Sequence, residues 1–232
     1  MRHYYQSLIL FILIFTPLFI KSETENKIKI AHIIQSSEMV LKKLDQNTDL
    51  KNFQEYLKNS RAILIFPEVY EGGLILGAKG GNGLLLIRKS KQNHFSGPFF
   101  YSIGGVSFGL QLGAKSGKVV MTVMTNRGLK SVLKERIKLG VDVDIAYIDE
   151  GIGYSAESTA RLADIYSFSD NSGLFLGSSI EGSYLQPRND LNRIIHGNEL
   201  SSDEILKNKS ISKEISRLSN ILNKTNDFKK IK

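Results

Sequence analysis

Cysteine does not occur in the 232 residues, which removes disulfides and a lipidated N-terminal cysteine from the chemistry open to this chain. Histidine is scarce as well. His3, His32, His94 and His196 are scattered along the chain, and no zinc site is expected from them. No apolar run reaches the roughly 18 residues that a membrane-spanning helix needs. The longest, Leu8 to Ile20, follows Arg2 and His3 and stops at Lys21-Ser22. That is the layout of a secretory signal, whose apolar region is about 7–15 residues long. Residues 1–22 are therefore read as a cleavable signal peptide, with a secreted or periplasmic destination and peripheral membrane association as the expected localisation. An uncleaved N-terminal anchor is the alternative, because Ile20 stands where a small residue is preferred.

Residues 23–232 suffice for a single domain with a sizeable core. The whole chain carries a net charge of +8 from 31 basic and 23 acidic side chains. Arg2 and Lys21 are the only charged side chains of the signal segment, so its removal leaves +6. A moderate positive balance suits an anionic surface better than a small anionic substrate. The basic residues gather toward both ends, Lys27, Lys29, Lys42, Lys43, Lys51, Lys58 and Arg61 on one side and Lys207 to Lys232 on the other. Any one of these runs alone reads as a solvated helix face. No motif of a nucleic-acid-binding module accompanies them, and nucleic acid is not expected as a partner.

Apolar residues at Ile30, Ile33, Ile34, Leu41 and Leu44, and again at Leu50, Phe53 and Leu57, fall at helical spacing, so two helices precede the sheet. From Ala62 to Thr125 the pattern changes to short β-rich runs between glycines: Ile63–Phe66, Leu74–Ala78, Leu84–Arg88, Phe99–Ile103, Val106–Leu112 and Val119–Thr125. Gly80 to Gly83 is read as a hairpin turn with positive φ, and connections this short imply antiparallel pairing. Val106, Phe108, Leu110 and Leu112 alternate with Ser107, Gly109, Gln111 and Gly113, giving one apolar face and one nearly bare face. Bare positions in a strand point to a sharp bend or to a backbone packed close. Asn126 is expected to cap a short helix, and strands resume at Val141–Ile148, Asp164–Ser169 and Leu174–Ile180. Ser201 with Glu204 forms a capping box, and Ile211, Ile215, Leu218 and Leu222 make a helical stripe that should dock on the domain's own sheet. The expected fold is α+β: a strongly bent, mostly antiparallel sheet or barrel-like core flanked by N- and C-terminal helices.

Three patterns resemble catalytic or metal motifs. Gly105-Val-Ser107-Phe-Gly109 has the spacing of a nucleophile elbow, which would make Ser107 the nucleophile of a serine hydrolase with His196 as base. An elbow needs a strand, a tight turn at the serine and then a helix, whereas Ser107 lies inside an alternating strand. No catalytic residue is assigned. Gly77 to Gly83 lacks the Lys-Ser or Lys-Thr of a phosphate loop and runs into a strand. Asp142 and Asp144 share one strand face, near Asp149-Glu150, but without calcium-loop spacing they read as solvated. No metal or cofactor is expected.

The glycine-studded blocks are the most specific feature. The first contains Ser60-Arg-Ala-Ile-Leu-Ile-Phe-Pro67, Gly72-Gly-Leu-Ile-Leu-Gly77, Gly81-Asn-Gly-Leu-Leu-Leu-Ile-Arg88, Ser96-Gly-Pro98 and Gly104-Gly-Val-Ser-Phe-Gly-Leu-Gln-Leu-Gly-Ala114. The second runs Tyr166-Ser-Phe-Ser-Asp-Asn-Ser-Gly-Leu-Phe-Leu-Gly-Ser-Ser-Ile-Glu-Gly-Ser183. In order and spacing they resemble the SYLF domain, over a core of about 41–222 within a single domain 23–232. Pro67, Gly77, Gly83, Pro98, Gly105, Gly109, Gly113, Gly173, Gly177 and Gly182 carry the resemblance. It departs where Phe95 stands for the Trp of a Trp-Ser-x-Pro motif and His196-Gly197 for a Tyr-Gly pair. The resemblance implies a non-enzymatic protein that binds membrane lipids, acidic phospholipids in particular, with actin or its regulators as partners of some members. It further implies membrane contact through an amphipathic N-terminal helix, here Ile28 to Leu44 with Lys42 and Lys43, and a basic surface formed by Lys27, Lys29, Lys42, Lys43, Lys51, Lys58 and Arg61. With a signal peptide and no attached adaptor module, actin regulation in the organism's own cytoplasm is not expected. An envelope or host protein-interaction module using the C-terminal helix is the remaining alternative.

Overall fold

The computed structural model describes residues 23–44, 51–73, 76–89, 94–108, 113–148, 163–169, 180–207 and 215–227. The expected signal segment, Gly109, Gly173, Gly177, Ile211 and the pair Asp149-Glu150 lie outside these residues. Helix α1 covers 23–44, followed by α2 (Lys51–Asn59). Four long strands come next: β1 (Ala62–Gly73), β2 (Leu76–Lys89), β3 (His94–Phe108) and β4 (Gly113–Val123). Helix α3 (Asn126–Val132) leads into β5 (Ile137–Lys138), β6 (Ile145–Ile148), β7 (Ile165–Ser169) and β8 (Tyr184–Pro187). The chain then turns helical in α4 (Asn189–His196), α5 (Ser202–Lys207) and α6 (Ser216–Asp227).

All eight strands join one curled, half-barrel sheet in the order β5-β8-β3-β2-β1-β4-β7-β6. Every pairing is antiparallel except β6 with β7, so the α+β expectation holds. Runs such as Ile63-Leu64-Ile65-Phe66 and Leu84-Leu85-Leu86-Ile87 are continuous because the sheet is covered on both sides. Ile63, Ile65, Leu84, Leu86 and Phe100 face a layer containing Ile33 and Leu41 of α1, Phe53 of α2, Leu191 of α4 and Leu218 of α6. Leu64, Phe66, Leu85, Phe99 and Met121 face Leu129 and Val132 of α3 and Ile205 of α5. Burying each such side chain contributes about 1.5–3 kcal/mol. The C-terminal stripe docks as expected, with Ile215, Leu218 and Leu222 all buried.

The expected hairpin at Gly80 to Gly83 is instead the middle of β2, paired on both sides: Gly80 with Tyr70 and Gly104, Asn82 with Glu68 and Ser102. Positive φ is not what these glycines supply; among the described residues it occurs in glycine at Gly97, Gly140, Gly182 and Gly197. Their role is close approach. β1 carries a bulge around Phe66 to Glu68, where its register against both neighbours shifts, and Pro67, lacking an N–H, sits where the ladder is already interrupted. The bulge pushes backbone toward β2. A Cβ on Gly83 would stand 2.3 Å from the Ile65 carbonyl oxygen, and one on Gly81 2.4 Å from that of Glu68. The runs expected as six short strands therefore merge into four long ones. At Gly105 a Cβ would lie 3.1 Å from Lys79 Cε and 3.4 Å from Ser183 Cα. The apolar face expected at Val106 is not buried, for Val106 is 71% exposed.

Smaller corrections have local causes. The cap of α3 is Thr125, whose hydroxyl accepts from Gly128 N, and not Asn126. Thr125 Oγ1 also donates to buried Asp164, which Arg127 pairs at 2.8 Å, so tertiary contact selects the cap. The strand expected from Val141 begins only at Ile145, because Gly140 to Asp142 form a turn in which Asp142 Oδ2 accepts from Lys138 N at 2.6 Å. The capping box holds: Ser201 N donates to Glu204 Oε2 at 2.7 Å and Glu204 N to Ser201 Oγ at 3.3 Å. Helix α4 was not expected, although Asp190 in its first turn and left-handed Gly197 (φ 81°) at its end are ordinary helix boundaries. Buried Asn192 fixes it to the sheet, accepting from Phe100 N at 2.6 Å and donating to Phe100 O at 3.1 Å.

Two consequences are testable by thermal melting. Gly83→Ala forces a methyl into a carbonyl and is expected to cost about 1–3 kcal/mol, lowering the midpoint by roughly 2–4 °C per kcal/mol. Gly80→Ala, whose Cβ would meet nothing nearer than Ile103 O at 3.9 Å, is expected to stay within about 0.5 kcal/mol of the parent. Asn192→Ala leaves the buried Phe100 N–H unpaired, while Phe100 O keeps the Arg188 N–H at 2.9 Å, and is expected to cost about 1–3 kcal/mol.

Candidate functional site

Helix α1 packs by a stripe of Ile30, Ile33, Ile34, Val40, Leu41 and Leu44, each at most 7% exposed. This is the same apolar stripe that the sequence offered to a membrane. It is committed to the core, and exposing these side chains would forfeit most of the burial that holds α1 on the sheet. What the helix presents outward is different. Ile28 is 66% and Met39 58% exposed, and the exposed Ala31 and Gln35 lie between them on one line, since positions 28, 31, 35 and 39 recur at helical spacing. Lys27, Lys29, Lys42 and Lys43 are all exposed beside that line. Lys27 forms an i, i+4 ion pair with Glu23 at 2.7 Å, an exposed contact of small energetic weight.

The lysines divide between the two flanks of α1. Lys27 and Lys42 border a groove of about 720 Å³ between α1, α4 and α6, whose apolar wall is Ile30 and Ile34 with Ile194 and Ile195. Arg217 of α6 brings a third cation and Glu38 an acid to the same groove. Lys29 lies on the opposite flank, above the sheet. Lys58 and Arg61 are exposed at and just after the end of α2, and Lys51 opens α2. Of the predicted basic residues, Lys27, Lys29, Lys42, Lys43, Lys58 and Arg61 are exposed, with Lys27 and Lys42 brought to one groove. Ile194, Ile195 and Arg217 were missed as its partners. The Asp190-to-Gly197 boundary signals could have found α4, but no local signal places α4 or α6 beside α1.

The hydrolase arrangement is not assembled. Ser107 is in β3, paired with Gly77 inside the ladder, so the chain runs extended at the serine where an elbow needs a tight turn. His196 stacks on Phe99 and its Nε2 lies 2.8 Å from Pro98 O. Pro98 and Ser107 are nine residues apart along one strand, about 30 Å at the usual rise, so His196 cannot reach Ser107. Asp142 and Asp144 do not share a strand face as expected: Asp142 holds its turn, and Asp144 Oδ2 takes Arg127 Nη2 at 2.7 Å. Phe95, at the position of the expected tryptophan, is fully buried beneath the Arg88 guanidinium, 4.5 Å from its ring centre. Burial lowers the pKa of Arg88, whose Nη2 donates to Leu57 O at 2.6 Å and Nε to Ser60 O at 2.9 Å. This cation is a brace between α2 and the sheet.

Comparison with known proteins places this architecture. A family described as "Ysc84: Las17-binding protein actin regulator" matches residues 104–225. An SH3 domain-containing protein of Schizosaccharomyces pombe, PJ696.02, is 28% identical over 156 residues, 65% of this chain and 35% of the relative. LAS seventeen-binding protein 3 of Saccharomyces cerevisiae is 26% identical over 196 residues, 82% of this chain and 41% of the relative. SH3 domain-containing YSC84-like protein 1 of Bos taurus is 27% identical over 145 residues, covering 62% and 42%. The chain thus spans well under half the length of these relatives. It belongs to the Ysc84, or SYLF, family.

Proposed function

We propose that this chain is a non-catalytic binding protein that rests the outward face of α1 on an anionic membrane surface. The observation that supports this reading most directly is the exposed line of Ile28 and Met39 flanked by exposed lysines, on a helix whose other face is fully occupied by the core. An interfacial helix needs an apolar line and cations beside it, and α1 offers both without unfolding. Contact is shallow, since only two large apolar side chains point outward, so most of the attraction is electrostatic. Each lysine near an anionic surface contributes about 1 kcal/mol, and salt weakens it because charges farther apart than about 8 Å are screened at physiological ionic strength. Secretion or export to a periplasm, proposed from the first twenty-two residues, would bring this face to an envelope or host membrane.

Protein partners are the second reading, favoured by the family description and by the Saccharomyces cerevisiae relative, which carry the name Las17-binding. The apolar stripe of the C-terminal helix does not serve it, because Ile215, Leu218 and Leu222 are buried in the chain's own core.

Co-sedimentation of residues 23–232 with phosphatidylserine/phosphatidylcholine vesicles tests the membrane reading. Binding is expected at low salt, absent on pure phosphatidylcholine, and reduced by added salt. Lys42→Glu with Lys43→Glu is expected to weaken it by at least about 2 kcal/mol, roughly thirty-fold, with an unchanged melting temperature. Equal binding to neutral and anionic vesicles, or a melting loss as large as the binding loss, would remove the proposal.

A further inference from the structure

The flank of α1 that carries Lys29 and His32 roofs a second cleft, of about 530 Å³, whose floor is the glycine-rich half of the sheet. This is within the roughly 300–1,000 Å³ of small-molecule sites. The register builds the floor in rows. Glu68, Asn82 and Ser102 lie directly opposite one another on β1, β2 and β3, and the next row is Tyr70, Gly80 and Gly104. Gly81 and Gly83, on the other face, are explained by the bulge of β1. Gly80 and Gly104 are not: among the described residues, a Cβ on either would meet nothing closer than 3.9 Å and 3.6 Å respectively, in both cases a carbonyl oxygen of the sheet itself. Glycine weakens a strand, and its presence where nothing among the described residues crowds it points to something else that approaches the backbone. Beside this bare floor stands Tyr70, 57% exposed, its hydroxyl donating to Glu68 Oε2 at 2.8 Å.

We propose that this cleft binds a neutral polyhydroxylated ring of monosaccharide size. Its polar groups are mixed in role, as a polyol requires. Glu68 accepts, Lys29 donates, Ser102, whose hydroxyl donates to Gln186 O at 3.4 Å, keeps its lone pairs to accept, and Asn82, whose Oδ1 accepts from Arg188, has its amide donors left for the ligand. Adjacent strands are about 4.8 Å apart, so Glu68, Asn82 and Ser102 offer hydrogen-bonding groups in a line spaced for hydroxyls around one ring. The exposed face of Tyr70 and the glycine floor supply the flat, weakly polar surfaces that the C–H face of a sugar covers. Charge argues against a phosphate. Lys29 shares the cleft with the opposite charge of Glu68, which lies 4.0 Å from His32, and Arg188 is held by Asp190 at 2.6 Å. The inference does not rest on the membrane reading, with which it shares Lys29 alone.

Saturation-transfer difference NMR on residues 23–232 with glucose, galactose, mannose and N-acetylglucosamine tests it. At least one of the four is expected to show transfer to its ring C–H protons. Gly80→Val fills the floor and Tyr70→Ala removes the wall; each is expected to reduce transfer at least ten-fold with an unchanged melting temperature. Should Gly80→Val fail to fold, Tyr70→Ala carries the comparison, because its side chain is exposed. No transfer from any of the four sugars, transfer that survives in the folded variants, or shifts in the amides of Gly80 and Asn82 produced by inorganic phosphate and not by any sugar would overturn the proposal.

Discussion

Covering the β1–β4 sheet on both faces is the constraint on which the rest of this molecule depends. It explains why Ile63 to Phe66 and Leu84 to Ile87 are unbroken apolar runs and why the helices lie in two layers. It also decides what the helices have left to offer. Every apolar residue that α1 or α6 spends on the sheet is withdrawn from partners, so a binding function has to be built from the side of α1 turned away from the core.

A second constraint is local and sits at the centre of the sheet. The bulge of β1 brings its carbonyl oxygens to within the volume that a β-carbon on β2 would need. Glycine at positions 81 and 83 is a steric necessity there. Across the pleat, glycine at 80 and 104 faces open volume. One glycine-rich segment therefore serves two purposes on its two faces: close packing against the bulge on one, and a bare floor beneath α1 on the other.

The functional surfaces follow from how α1 is held. Its core stripe clamps it along the sheet, and its two flanks overhang two different depressions: an apolar groove rimmed by Lys27, Lys42 and Arg217, and a polar cleft rimmed by Lys29 and His32. The groove exists because α4 is fixed to β3 through Asn192, which places Ile194 and Ile195 across from Ile30 and Ile34. Neighbouring lysines along one helix thus serve different neighbourhoods, which a count of basic residues does not distinguish.

Much was legible in the residues themselves. Helical spacing identified α1, α2 and the docked stripe of α6, the Ser201–Glu204 box identified the start of α5, and the ordered glycine blocks pointed to the family. These signals are local, and local backbone chemistry produces them. The sequence could not tell a glycine that turns a chain from one that lets two strands approach, so a hairpin was expected at Gly80 to Gly83 where the ladder runs through. That distinction lies in a bulge on a neighbouring strand. Nor could it tell an apolar stripe destined for a membrane from one destined for a sheet, because periodicity reports only that one face avoids water. What takes the water's place, and therefore which residues of α1 remain for binding, was decided by tertiary packing.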